Sequence, residues 1–272
     1  MRASNLKLTL AVLFSCPLLA INGAFAEPLR LGGTGTATEM LSQVGAQFTA
    51  ASEVKVDVVH SLGSTGAIRA LADGKLDIAV SARPLKADES AEDLRQVSIL
   101  RTVFVLATSH REPKGLKAGD LPKIFAAEKP TWADGTPIRV ILRPRSETDN
   151  ALLGKLFAGM DQAIETARRH AEIPIAATDQ DNVALAERTP GALIGTTLTQ
   201  LKTEKSMLVT VSLDGIEPTL ANFERGVYPF AKNLYFIART NSSPETQRFV
   251  DFLRSPQGVK ALRDAAVLPG GE

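Results

Sequence analysis

The sequence predicts an α/β fold, and three observations carry that prediction. Short apolar strands alternate with segments of helical periodicity from residue 29 onward; the strand-to-helix spacing suits parallel crossovers; and no internal repeat or low-complexity tract interrupts the pattern. In such sheets the carboxyl ends of strands and the amino ends of the following helices converge on one edge, where ligands bind.

The elements follow in order. Leu29 to Gly32 reads as a strand, and Met40, Leu41, Val44 and Phe48 then repeat at helical spacing. Val54, Val56 and Val58 alternate as a half-buried strand does. A turn, "GSTG" at 63–66, leads into a helix through Ala67, Ile68 and Leu71, and Leu76 to Val80 forms the next strand. Further on, "IRVILRPRSETDN" (138–150) is a strand ending in Arg143 and Arg145, followed by an apolar helix over 151–157.

The amino terminus stands apart. Arg2 and Lys7 precede an apolar block over 8–19, and Ala24-Phe25-Ala26 has small residues at the spacing of a cleavage site, so residues 1–26 read as a secretory signal. A membrane anchor fits less well, because the block is shorter than the ~20 residues a spanning helix requires and Pro17 interrupts it. Cys16 lies in this block; lipidation there is disfavoured by the bulk of Phe14 and by the better site downstream. The mature chain then has no cysteine and must be stable without disulfides.

Without Arg2 and Lys7, 29 basic residues face 30 acidic ones. Charges of both signs are interspersed, so there is no electrostatic footprint for nucleic acid, and nothing beyond residue 26 is long and apolar enough to span a membrane. Any bound anion must be held by local geometry. His60, His110 and His170 are far apart and match no metal-ligand spacing, no G-x-S-x-G elbow is present, and the lone Trp132 reads as packing. No cofactor is expected.

Three turns between a strand and a helix are dense in small hydrogen-bonding groups: "LGGTGTAT" (31–38), "GSTG" (63–66) and "RSETDN" (145–150). Gly63 permits a sharp turn, Ser64 or Thr65 could cap the helix, and the free N–H groups of the first turn make such an end a ready anion site. One such turn is explained by capping alone. Three converging on one crevice would enclose a small polar ligand.

The chain resembles the periplasmic phosphate-binding proteins from about Pro28 to Pro269. The resemblance is carried by "GSTGAIRALADGKLDIAVSARPL" (63–85), "DLPKIFAAEKPTWADGTPIRVILR" (120–143), "TPGALIG" (189–195), "GVYPFAKNLYFIA" (226–238) and "FVDFLRSPQGVKAL" (249–262). It implies a two-lobed type II periplasmic binding protein, each lobe a mostly parallel sheet flanked by helices, joined by crossing strands at 102–108 and 233–239. Lobe I would hold 27–105 plus 233–272, and lobe II 106–232. It also implies a monomeric, periplasmic receptor that performs no chemistry, closes on an oxyanion such as phosphate, and delivers it to the permease subunits of an ABC importer.

Carried over residue by residue, the resemblance implies Thr36 and Thr38 at the first turn, Ser64 and Thr65 at the second, Ser81 after the third strand, and Arg143, Ser146, Thr148 and Asp149 in the other lobe. Two positions depart from the family pattern. Ala82 stands where the family has the aspartate that accepts the proton of hydrogen phosphate, and Glu147 and Asp149 enter a turn that is neutral in the family. Acidic residues in a first turn suit the helix dipole, yet they oppose a dianion at the same end. One of them, Asp149 before Glu147, could supply the missing acceptor. Other readings remain open: a receptor for a sulfate-like tetrahedral anion, a periplasmic anion sensor without transport, or a secreted phosphoester hydrolase.

Overall fold

The computed structural model describes residues 27–90 and 93–270; the expected signal segment, with Cys16 and Ala26, lies outside the described residues. The chain opens with strand β1 (Leu29–Gly33), helix α1 (Gly35–Ser52), β2 (Val56–Val59), α2 (Gly63–Ala72) and β3 (Ile78–Ser81). A short α3 (Ala87–Ser90) precedes the long β4 (Leu94–Thr108). The middle of the chain contributes α4 (Leu121–Ala126), β5 (Arg139–Val140), α5 (Thr148–Leu156), α6 (Met160–Ala167), α7 (Asp179–Arg188), β6 (Ala192–Thr197), α8 (Leu198–Thr203), β7 (Val209–Val211) and α9 (Leu220–Glu224). The chain ends with β8 (Ala231–Arg239), α10 (Pro244–Arg254), α11 (Pro256–Asp264) and β9 (Val267–Pro269).

Two lobes share β4. The strand order is β2-β1-β3-β8-β4-β6-β5, with β7 and β9 also on β4. The crossovers β1–β2, β1–β3 and β5–β6 are parallel, as the strand–helix alternation requires, whereas β8 runs antiparallel to both β3 and β4. The antiparallel pairs thus arise where the crossing strands enter the sheets. The first half of β4 pairs with β8, and its end, Phe104 to Thr108, pairs with β6.

Each lobe has its own core. In the first, Leu31, Met40, Phe48, Ile78, Phe236 and Phe249 pack between the sheet and α1, α10 and α11, with the Phe48 and Phe249 rings edge-on at 5.1 Å. Ala67, Ile68 and Leu71 of α2 cover the other face. A sheet covered on both sides accounts for the fully buried β3. In the second lobe Phe104, Leu106, Phe125, Met160 and Ile194 form the centre, and Trp132 lies in this core, stacked 5.3 Å from the His110 ring.

Four elements differ from expectation, the first being the crossing expected at 102–108, which as β4 already begins at Leu94. The strand expected from residue 138 shrinks to β5, because Pro137 and Pro144 bracket it and cannot donate to a ladder. The helix expected at 151 starts at Thr148, since Asp149 is accepted into its first turn. The second crossing, expected from Asn233, begins at Ala231 and so includes Lys232, which pairs in register with Thr102. Among the described residues no helix is long and apolar enough to cross a membrane, and no cluster of histidine, cysteine and carboxylate side chains is arranged to hold a metal ion.

Candidate functional site

Four helix starts, two from each lobe, meet around a cavity of about 240 Å³ lined by Thr34 and Gly35, residues 61–66, Arg143, residues 146–148 and residues 177–180. The first four N–H groups of any helix lack a partner inside it, so what satisfies them decides what each end can do.

Two of these ends are satisfied by the chain itself. At α7 the Thr178 side chain accepts from the Asp181 N–H and the Asp181 carboxylate accepts from the Thr178 N–H, a local capping box. At α1 the cap comes from the opposite lobe: Asp179 Oδ2 accepts from the Thr36 N–H at 2.9 Å and lies 3.5 Å from the hydroxyls of Thr34 and Thr36. Gly35 makes that approach possible, because a Cβ there would come 2.7 Å from Asp179 Oδ2.

The other two ends, α2 and α5, have no side-chain cap and open onto the cavity. Gly63 turns the chain into α2 with φ of +65°, a conformation that favours glycine. The Ser64 hydroxyl accepts from the Ala82 N–H at 2.9 Å, which leaves its own proton free to donate. Across the cavity, Ser146, Glu147 and Thr148 lead into α5.

Arg143 stands between them, 6% exposed. Its Nη1 donates to the Ala176 carbonyl at 2.6 Å, and its Nη2 donates to Glu147 Oε2 at 3.1 Å and to Asp179 Oδ1 at 3.2 Å. Its Nε is buried with no hydrogen-bond partner among the described residues. Such an orphaned donor is costly unless something accepts from it.

Behind this lining lies Lys232, 2% exposed, which reaches the cluster through Thr36 and Asp149. The alternation of β8 puts it in phase with Leu234 and Phe236, so the ammonium points inward and must find partners. It donates to Asp149 Oδ1 at 2.5 Å and to the Thr36 hydroxyl at 3.2 Å. Burial alone would lower its pKa, but Asp149 and Asp179 outweigh burial and hold it above the ordinary lysine value. For Asp179, burial likewise works toward the neutral form, but Lys232, Arg143 and the Thr36 N–H outweigh it and hold the carboxyl below the ordinary aspartate value. Glu147 differs: burial, with Asp179 and Asp149 nearby, raises its pKa against the pull of Arg143.

The structure therefore brings Ser64, Thr65, Arg143, Ser146 and Thr148 to one cavity. Thr36 meets the same cluster through Asp179 and Lys232. Asp149 lies against Lys232 rather than in the cavity lining. Ser81 closes its own turn, donating to the Arg83 carbonyl at 2.7 Å and accepting from the Arg83 N–H, and Thr38 is buried within α1 away from the lining. Arg145 points outward to Glu165. Sequence reasoning passed over Thr34, Asp179, Gln180 and Lys232. For Lys232 a signal existed, a charged residue at an inward position of an apolar strand. For Asp179 none did, since "TDQD" reads as an ordinary helix cap.

Fold and cleft together define a two-lobed binding protein of the periplasmic type. The model of the PBP superfamily domain matches residues 21–257, and the chain belongs to that superfamily. It is similar in structure to a protein from Clostridium perfringens assigned as a phosphate ABC transporter substrate-binding protein and solved with bound phosphate, with TM-score 0.74, 15% identity, and coverage of 90% of this chain and 100% of that one. An ABC-type phosphate transport receptor from Vibrio cholerae gives TM-score 0.60 at 16% identity, covering 88% and 99% of the two chains. The periplasmic molybdate-binding protein of Azotobacter vinelandii gives TM-score 0.60 at 11% identity, covering 89% and 100%. Comparison with curated proteins gives no match.

Proposed function

We propose that this protein is a periplasmic receptor that captures an oxyanion, phosphate first, between its lobes and delivers it to the permease of an ABC importer without chemistry of its own. The observation that carries the reading is the pair of uncapped helix starts, α2 and α5, facing one cavity beside the unpartnered Nε of Arg143. The phosphate named for the similar Clostridium and Vibrio proteins supports the choice of ligand. The mature chain would begin near Glu27 and act as a monomer, with lobe I formed by 27–105 and 233–272 and lobe II by 106–232. Ligand contact with both lobes would stabilise the closed state that the importer recognises.

The loss of a carboxylate at Ala82 leaves the question of what accepts the ligand's proton. Asp149 is committed to Lys232 and lies outside the lining, so the acceptor would be Glu147, which lines the cavity and gives only Oε2 to Arg143. A receptor with such an acceptor prefers hydrogen phosphate to sulfate, because sulfate brings no proton and would leave two acceptors facing each other. Calorimetric titration of the mature protein at neutral pH tests this: phosphate should bind saturably and sulfate more weakly. Equal binding of both anions would remove the acceptor role and favour the sulfate-like reading. Turnover of a phosphoester would favour a hydrolase.

A further inference from the structure

The α1 end converges on the same cleft as α2 and α5, but an anion already occupies it. Asp179 belongs to α7 in the second lobe, is 8% exposed, and presents both carboxylate oxygens: Oδ2 to the Thr36 N–H of the first lobe, Oδ1 to Arg143 Nη2 of its own. Gln180 reaches across in the same direction, its Nε2 donating to the Gly35 carbonyl at 3.0 Å. Both buried cations near the cleft are thus paired with carboxylates of the chain, Arg143 with Asp179 and Glu147, and Lys232 with Asp149. What remains unsatisfied is the buried Arg143 Nε.

We propose that Asp179 is a built-in competitor for the ligand, a carboxylate that occupies the α1 seat, ties the lobes together without ligand, and sets how strongly an oxyanion is held. An oxyanion in the cavity then has two helix ends at its disposal instead of three, and one Nη2 proton of Arg143 fewer. It gains the Thr36 N–H and one Nη2 proton of Arg143 only when Asp179 leaves, because Glu147 still accepts from the same nitrogen. Asp179 is therefore a specificity-determining residue: its fixed negative charge works against highly charged ligands and keeps the cleft shut when ligand is scarce.

The inference rests on the oxyanion reading for its ligand but not for its tether, and the experiment separates the two. Amide hydrogen exchange and phosphate calorimetry are measured on the mature wild type, Asp179→Ala and Asp179→Asn. The wild type should protect the Thr36 amide with no ligand present. Asp179→Ala should lose that protection and bind phosphate about tenfold more tightly or better, since the Thr36 N–H and one Arg143 N–H are released and a negative charge is removed from beside the ligand. Asp179→Asn keeps the side chain without its charge, so it should fold even if the alanine variant does not, and its phosphate affinity should exceed that of the wild type. Weaker phosphate binding in both variants, or a Thr36 amide equally protected in Asp179→Ala, would overturn the proposal. If no form binds phosphate, the receptor reading fails while Thr36 protection still decides the tether: its loss in Asp179→Ala supports it and its persistence overturns it.

Discussion

Two turns that look alike in sequence have opposite fates in the fold. "GTAT" at 35–38 and "GSTG" at 63–66 each follow a parallel strand and begin a helix with glycine and hydroxyls, and neither helix has a side-chain cap from its own turn. The first is closed by Asp179, a residue 143 positions away from Thr36. The second stays open to the cavity. A helix start is therefore a site only if no distant part of the chain reaches it first. Local pattern sets the capacity for anion binding, and long-range packing decides whether the capacity is used.

The largest effect is expected at Lys232, which bonds Thr36 of α1 and Asp149 of α5. Lys232→Ala removes one partner of a buried ion pair and leaves Asp149 uncompensated, so it should lower stability by about 3–5 kcal/mol in denaturant unfolding, most of it independent of ligand. A smaller loss would mean that water reaches Asp149.

Arg143→Ala acts on the open side. It removes the guanidinium between α2 and α5 and should weaken phosphate binding by about 2–5 kcal/mol in calorimetry. Arg145→Ala should leave binding unchanged, because that side chain points outward to Glu165. Comparable losses in the two variants would move the site.

Paired alanine substitutions sharpen the comparison at lower cost. Ser64→Ala should weaken phosphate binding by about 0.5–1.5 kcal/mol, the net worth of one hydroxyl donor, whereas Thr38→Ala should not change it, since Thr38 lies within α1 away from the cavity. The reverse order would place the ligand at the wrong turn.

The smallest expected effect is a pH dependence. Glu147 has a raised pKa, so lowering the pH from 7 toward ~5 protonates it before an ordinary glutamate. Asp179, whose pKa is lowered, stays ionised over that window. One negative charge is then lost beside the cavity, and sulfate, which does not itself titrate there, should bind several-fold more tightly at the lower pH. Glu147→Gln should abolish the dependence. A dependence that persists in the variant would assign it to another group.

Much of this was legible in the sequence because it rests on local chemistry. The strand–helix alternation predicts the α/β class, and residues 63–66 and Arg143 lie where strand ends meet helix starts. The illegible part depends on partners far apart in the chain. The Thr178–Asp181 capping box conceals a second use of the same turn, in which Asp179 caps α1 of the other lobe. Asp149 looks like a dipole-matched first-turn acid, and only the phase of β8 reveals that Lys232 needs it. The Ser81 hydroxyl, expected in the site, is drawn into the turn before Pro84 by its own backbone.

On the proposed reading the open ends of α2 and α5, rather than α1, receive the oxyanion. This reading is tested most directly by following backbone amide resonances of the isotope-labelled wild type while phosphate is added at constant pH. The amides of Ser64, Thr65 and Thr148 should shift together along one saturable curve while the Thr36 amide, held on Asp179, stays in place. A shift of the Thr36 amide with Ser64 and Thr65 unmoved would contradict it.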